Sequence, residues 1–285
     1  MRRINIKLKW FASHFFKRFV MGCTPPTVND LCVLHLSDNF LVINKQCDIA
    51  INSDSAEDHP ITVASQLNHK FPNLADPSIM FGFRFCHRLD FSTSGVLCLA
   101  LNKLAAKECM LAMNSRRVSK YYLALVHGHI QENSIQFDKP IGFDSRPEHT
   151  HKMCVADKDY CIQPRKATSK LIVLQRGTYN EKPATKVIFQ LVTGRRHQLR
   201  VHSHEIGHTI VGDFTYSDRK DILPYRMFLH SYRIVVPTNL ELLDITTDDP
   251  FTEDNPKNKW CSLETAYELN NNVYDLFKSL NFHHC

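Results

Sequence analysis

Asp90 is the only acid in "FRFCHRLDFSTSG", residues 83–95. His87 and Arg88 stand on one side of it and Ser92, Thr93, Ser94 and Gly95 on the other, just ahead of the apolar run "GVLCLAL". An aspartate there can be a nucleophile, a general base, a metal ligand or a structural cap. In a hydroxyl-rich turn the cap is the commonest role. A second polar stretch raises the chemical reading: "TGRRHQLRVHSHEIGHTIVGDFTY", residues 193–216, carries Arg195, Arg196, His197, Gln198 and Arg200. Read as a helix over 195–207 that ends on Gly207, it sets Arg196 and Arg200 four apart on one face. Such a face keeps a buried carboxylate ionised or binds phosphate. His202, His204 and His208 spell H-x-H-x-x-x-H, a spacing that metal sites also use, but no metal is expected here.

Strands and helices must hold these groups. "LCVLHL" and "FLVIN", separated by Ser37, Asp38 and Asn39, read as a hairpin. "ITVASQLNHKF" has apolar residues at helical spacing and stops before Pro72. "GVLCLAL" reads as a buried strand, and "NKLAAKECMLAM" as a helix capped by Asn102. "YYLALVHGHI", "TSKLIVLQ", "ATKVIFQLV" and "LHSYRIVV" are further strands rich in branched side chains. Most strands follow one another without intervening helices, so the pattern predicts an α+β fold with a largely antiparallel sheet. Ser262 is positioned to cap a C-terminal helix, with Leu263, Ala266, Tyr267, Leu269, Val273, Phe277 and Leu280 along one side.

The 285 residues, 43% of them hydrophobic, suffice for one sizeable core. No run of 18 apolar residues is present to span a membrane. The ten cysteines form no C-x-x-C pair, which argues against a zinc ribbon and for a reduced intracellular protein. Charge is uneven. Residues 1–20 hold six basic residues and no acid, residues 241–285 three basic and nine acidic, and the body between is mildly basic. A basic body admits a nucleic-acid partner. The expected organisation is a basic tail over 1–27, a catalytic domain over 28–243 and an acidic extension over 244–285. The tail reads as a tail, a mitochondrial presequence, or a segment ahead of a start at Met21. Cytoplasm or nucleus is expected, or the mitochondrion if the tail is a presequence. A monomer without membrane contact is expected.

Five blocks resemble the RluA-type RNA pseudouridine synthases. "HRLDFSTSG" is similar to their H-R-L-D-x-x-T-S-G signature, and "NFLVINK" to their opening hairpin. "SKYYLALVHG" matches K-x-Y-x-A-x-V-x-G, "ATSKLIVL" the next strand, and "TGRRHQLRVH" with "GHTIVGDFTY" the third motif. The blocks run in order from about residue 30 to 236. The resemblance implies a pseudouridine synthase fold and isomerisation of uridines in tRNA, rRNA or mRNA, without metal or organic cofactor. It implies Asp90 as nucleophile, Tyr122 as base for the C5 proton and Arg200 as the nucleophile's partner. It implies that Arg88 fills the gap left by the flipped base, whose lost stacking must be replaced. His87, Thr93, Arg195, Arg196 and His197 are the further RNA contacts. Taken without the family, Tyr122 also reads as a core aromatic and Arg200 as a surface helix charge.

The chain departs from the family at two points. The usual N-K-P-x-G after the first hairpin is "NKQCD" here, and Arg196 follows T-G-R where Ser or Thr is usual. No S4-like domain is expected ahead of the catalytic region, since about 27 residues are too few for a separate core. Two rivals remain. A hydrolase using Asp90 with His87 or His197 lacks a G-x-S-x-G elbow. An RNA-binding protein that keeps the fold without turnover would be indifferent to Asp90→Asn.

Overall fold

The computed structural model describes residues 25–55 and 57–285; the basic segment 1–20 lies outside them. The described chain forms an α+β fold in two compact units. One comprises the described residues through Arg117 with Ile222–Met227 and Val236–Thr247. The other comprises Val118–Asp221, Phe228–Val235 and Asp248–Cys285.

In the first unit, β1 (Cys32–Leu36) and β2 (Phe40–Lys45) form the expected antiparallel hairpin. β3 (Arg84–Phe85) and β2 both pair antiparallel with β4 (Ser94–Ala100). Phe40–Ile43 and Val96–Leu99 are wholly buried on both faces, so these strands read as continuous apolar runs rather than alternating ones. Helix α1 (Val63–Lys70) starts at a capping box between Thr62 and Ser65. Helix α2 (Lys103–Asn114) starts where Asn102 accepts from the Ala105 amide at 2.8 Å. It buries Ala105, Cys109 and Ala112, one face at helical spacing.

The second unit is built on an antiparallel sheet. It contains β5 (Ser119–His127), β6 (Ser134–Phe137), β10 (Ser169–Tyr179), β11 (Lys182–Leu191) and β12 (Leu229–Pro237), in the order β12-β5-β11-β10-β6. Asn180 and Glu181, both at positive φ, turn β10 into β11, the paired left-handed geometry that suits a tight hairpin. A separate small sheet sets β7 (Ile141–Asp144) between β8 (Met153–Val155) and β9 (Cys161–Arg165). Helix α3 (Gln198–Glu205) packs on it through a core of Ile141, Met153, Val155, Val201 and Tyr216.

Two expectations are corrected here. The helix expected over 195–207 begins only at Gln198, and His197 ahead of it is left-handed with φ 56°. Arg196 therefore sits exposed in a turn while Arg200 is buried, and the two do not share a helical face. Gly207 does end the helix, at φ 80°. At the C-terminus, Ser262 caps no helix. Residues Trp260–Thr265 form β13 along β10, and the helix is the shorter α4 (Val273–Ser279). The reason is an open edge: β6 covers β10 only from Ser169 to Ile172, so Gln175–Tyr179 needed a partner. Strand pairing wins over the helical spacing, and Leu263 stays 68% exposed. Gly177 marks the close approach, since a Cβ there would meet the Cys261 carbonyl oxygen at 2.0 Å. The last strand, β14 (His283–His284), adds parallel to β6.

Candidate active site

The Asp90 turn is fixed from below by a buried lysine. The β2–β4 register sets Lys45 opposite Gly95, so its side chain lies under residues 90–95. Its Nζ donates to the carbonyls of Thr93 at 2.8 Å, Phe91 at 3.0 Å and Gln46 at 2.8 Å. All three ammonium donors are thereby used, and two of the acceptors, Phe91 and Thr93, lie in the turn that Asp90 opens. The turn is closed by the Thr93 amide donating to the Asp90 carbonyl at 3.1 Å. Burial pulls the Lys45 pKa down to about 8; Arg226 lowers it further, while Cys47, Asp48 and Asp90 oppose the shift. Arg226, also buried, donates to Ser94 Oγ and to the Met227 carbonyl. A lysine and an arginine thus place positive charge beneath the Asp90 turn, a field that favours the carboxylate.

The other residues of this motif have distinct placements. Asp90 is half-buried and Arg88 exposed. His87 is half-buried, and its Nε2 accepts from the Cys98 amide at 3.1 Å, which anchors the ring to β4. Thr93 is 2% exposed, so it meets the turn rather than solvent. Phe91 packs against His59, ring centroids 5.5 Å apart. The atypical loop keeps an informative conformation: Asp48 stands at the family's glycine position with φ 59°. It takes the left-handed geometry for which glycine is the usual choice.

In the second unit, Tyr122 lies on β5 opposite Phe189 and Ser231, and is buried. Its neighbour Tyr121 points the other way and packs tilted against Tyr274 and Phe277 of α4, ring centroids 4.7 and 5.5 Å apart. Arg200 is buried and makes a bidentate pair with Asp213: Nε to Oδ2 at 2.7 Å and Nη2 to Oδ1 at 2.8 Å. The Thr215 and Tyr216 amides also donate to Asp213 Oδ1, so both oxygens have fixed partners. The guanidinium lies 5.2 Å from the Tyr216 ring centre. Gln198 locks the turn ahead of α3, accepting from Thr193 Oγ1 and the Arg195 amide and donating to the Thr168 carbonyl. His197 lies 3.1 Å from Tyr216 Oη.

The three histidines of H-x-H-x-x-x-H go to separate partners. His202 is buried beside Ser169 Oγ at 2.6 Å and stacked on Phe137, and burial holds its pKa down to about 4. His204 meets Thr209, and His208 the His127 carbonyl. Among the described residues, no group of three or more His, Cys, Asp or Glu is arranged to hold a metal.

Sequence reasoning singled out neither Lys45, Arg226 nor Asp213. A lysine ending a strand that opens with four buried apolar residues was the available signal for the first. Asp213 lies inside the third motif.

A family model described as RNA pseudouridylate synthase matches residues 39–205. A relative from Danio rerio, "RNA pseudouridylate synthase domain-containing protein 1", is 45% identical over 90% of this chain and 85% of its own length. A relative from Pasteurella multocida, "Dual-specificity RNA pseudouridine synthase RluA", is 30% identical over 81% of this chain and 99% of its own. A solved structure, "Human RNA Pseudouridylate Synthase Domain Containing 1", is 36% identical with a TM-score of 0.78, covering 91% of this chain and 99% of the human one.

Proposed function

The chain belongs to the RNA pseudouridine synthase family, and from that premise we propose that it isomerises specific uridines of an RNA through Asp90 as nucleophile. The enzyme class, an isomerase acting on RNA uridine, follows from membership. The observation that carries the assignment to Asp90 is the clamp beneath it, Lys45 Nζ holding the Phe91 and Thr93 carbonyls. A turn fixed at both of these carbonyls holds one carboxylate in one pose, which nucleophilic catalysis requires.

In this reading the target uridine is extruded from its stack and Arg88, the exposed side chain of the motif, occupies the space it leaves. The Asp90 carboxylate attacks, the glycosidic C–N bond breaks, and the freed uracil rotates. A C–C bond then forms at C5. Asp90 is released as that bond forms, Tyr122 removes the C5 proton and N1 takes up a proton, so product and substrate have the same atoms. Arg200, held in a fixed plane by Asp213, supplies the positive charge that keeps the nucleophile ionised. No step requires a redox change.

The test is pseudouridine mapping across cellular RNAs in cells lacking the protein, rescued with wild type or Asp90→Asn. Sites that vanish and return only with wild type support the assignment and name the substrate. Sites restored by Asp90→Asn would remove Asp90 from the chemistry. No change at any site in cells that normally express the protein would favour RNA binding without turnover.

A further inference from the structure

Three segments of the second unit meet in a basic rim beside the small sheet. Arg195 Nε donates to the Lys166 carbonyl just past β9, at 3.0 Å. Arg196 Nη2 donates to the His151 carbonyl just before β8, also at 3.0 Å. Arg219 belongs to the same field and comes from a turn in which Asp218 and Arg219 have φ of 51° and 66°. His151 registers this convergence. Its pKa is held below the ordinary value first by burial and then by Lys152, Arg219, His149 and Arg196. Lys152, Arg219 and Arg196 are cations, and a field that repels a proton attracts an anion.

Some of this charge is already compensated. Lys152 pairs with Asp218 at 2.6 Å, and His149 lies 3.8 Å from Glu148. Among the described residues, Lys166, Arg195, Arg196 and Arg219 make no ion pair. All four are at least partly exposed. A neighbouring pocket of about 270 Å³ is of mixed charge, its lining including Asp144, Glu205 and Asp218 as well as His149 and Lys152, and the rim residues lie outside that lining. Guanidinium groups that pair with no carboxylate, two of them held by backbone carbonyls, match a chain of phosphates.

We propose that this rim, Arg196 and Arg219 with His151, Arg195 and Lys166, seats phosphodiesters of the RNA strand outside the target nucleotide. The inference rests on the RNA reading above and extends it to residues that the catalytic motifs do not contain, Arg219, His151 and Lys166. Such contacts position the strand and carry no sequence information.

The test uses full-length protein carrying Asp90→Asn, so that no turnover enters, and a fluorescein-labelled oligouridylate titrated at several salt concentrations. Arg196→Gln with Arg219→Gln is expected to weaken binding roughly tenfold and to lower the slope of log affinity against log salt by about 1.4, about 0.7 for each phosphate no longer neutralised. Arg196→Lys with Arg219→Lys should keep the slope. Lys103→Gln with Lys107→Gln, exposed on α2, is the control and should change nothing. An unchanged slope in the Gln pair overturns the proposal, and so does an equal loss in the Lys pair, which would indicate altered shape rather than missing charge. Loss of polyglutamate binding with oligouridylate binding intact overturns it in favour of an acidic protein partner. Because no arm needs isomerisation, failure here leaves the Asp90 assignment standing, and failure of that assignment leaves this one measurable.

Discussion

Lys45 Nζ donates to the Thr93 carbonyl at 2.8 Å across 48 residues of sequence, tying the end of the first hairpin to the turn that follows Asp90. The lysine is buried, yet all three of its donors are satisfied by carbonyls. A buried charge is tolerated on those terms.

Lys45→Met should remove the clamp while keeping the side-chain volume. It leaves three carbonyls without their donor, so a loss of about 2–4 kcal/mol in a urea titration is expected. Turnover should fall more than RNA affinity, because the pose of Asp90 loosens while the RNA surface remains.

The same residue gives a pH signature of opposite sign in stability and activity. Its folded pKa of about 8 lies below the ordinary 10.5. Between those values the unfolded chain holds a proton that the folded chain has released, so stability from this group rises with pH across the window. Relative to Lys45→Met, wild type should gain up to about 3 kcal/mol from below pH 8 to above pH 10.5. Single-turnover rate should instead fall as pH passes about 8, since the neutral amine loses a donor and its charge. A stability difference that is flat with pH would contradict the buried, carbonyl-bound lysine.

Asp213→Asn should be strongly damaging although Asp213 takes no chemical step itself. It leaves the Arg200 guanidinium buried without its carboxylate, a loss of about 3–5 kcal/mol. Arg200→Lys is expected to fold and still lose most turnover, because an ammonium cannot reproduce the planar bidentate pair. Chemical denaturation and single-turnover kinetics check the two halves.

Adjacent tyrosines should separate cleanly. Tyr122→Phe is expected to abolish isomerisation with little change in stability. Tyr121→Ala, which removes the ring packed against Tyr274 and Phe277, should cost about 3–5 kcal/mol. Its effect should be reversed by Tyr121→Phe. Pseudouridine formation and thermal melting distinguish the pair.

His202 should make the fold sensitive to mild acid. Its folded pKa of about 4 lies below the ordinary 6.5. The unfolded chain binds a proton first, so stability falls as pH drops from 6.5 toward 4 and is full above 6.5. The loss should approach about 3 kcal/mol at the low end, and a urea series across that window in wild type and His202→Gln measures it.

Most of the secondary structure was legible because its signals are local. The hairpin, the helix within 61–71, Asn102 as a helix start, and the β5, β10 and β11 runs all follow from apolar spacing and local signals within a few residues. The failures were decided at a distance. Leu263, Ala266, Tyr267 and Leu269 have a genuine helical spacing, but the open edge of β10 lies about 85 residues earlier and claims the strand. Arg195, Arg196 and His197 look helical in sequence, yet Gln198 bonds back to Thr193 and the chain must turn through His197 at positive φ. The missing glycine of the first motif was legible as a departure. That Asp48 would keep the glycine's conformation was not, because composition does not encode φ. Lys45 and Arg226 were hidden for a related reason: charged side chains are normally read as surface, and these two are buried by partners far along the chain.

Arg226 reaches Ser94 across 132 residues, and its short segment rejoins the first unit only after the chain has passed through most of the second. On the ribosome this sets an order of events. The hairpin, β4 and α2 emerge early and can pair locally, but the Ser94 hydroxyl waits for a guanidinium synthesised much later. A nascent chain halted before Ile222 would display the whole nucleophile motif without one of its two buried cations. Elongation itself therefore withholds a finished Asp90 turn until about four fifths of the chain is made.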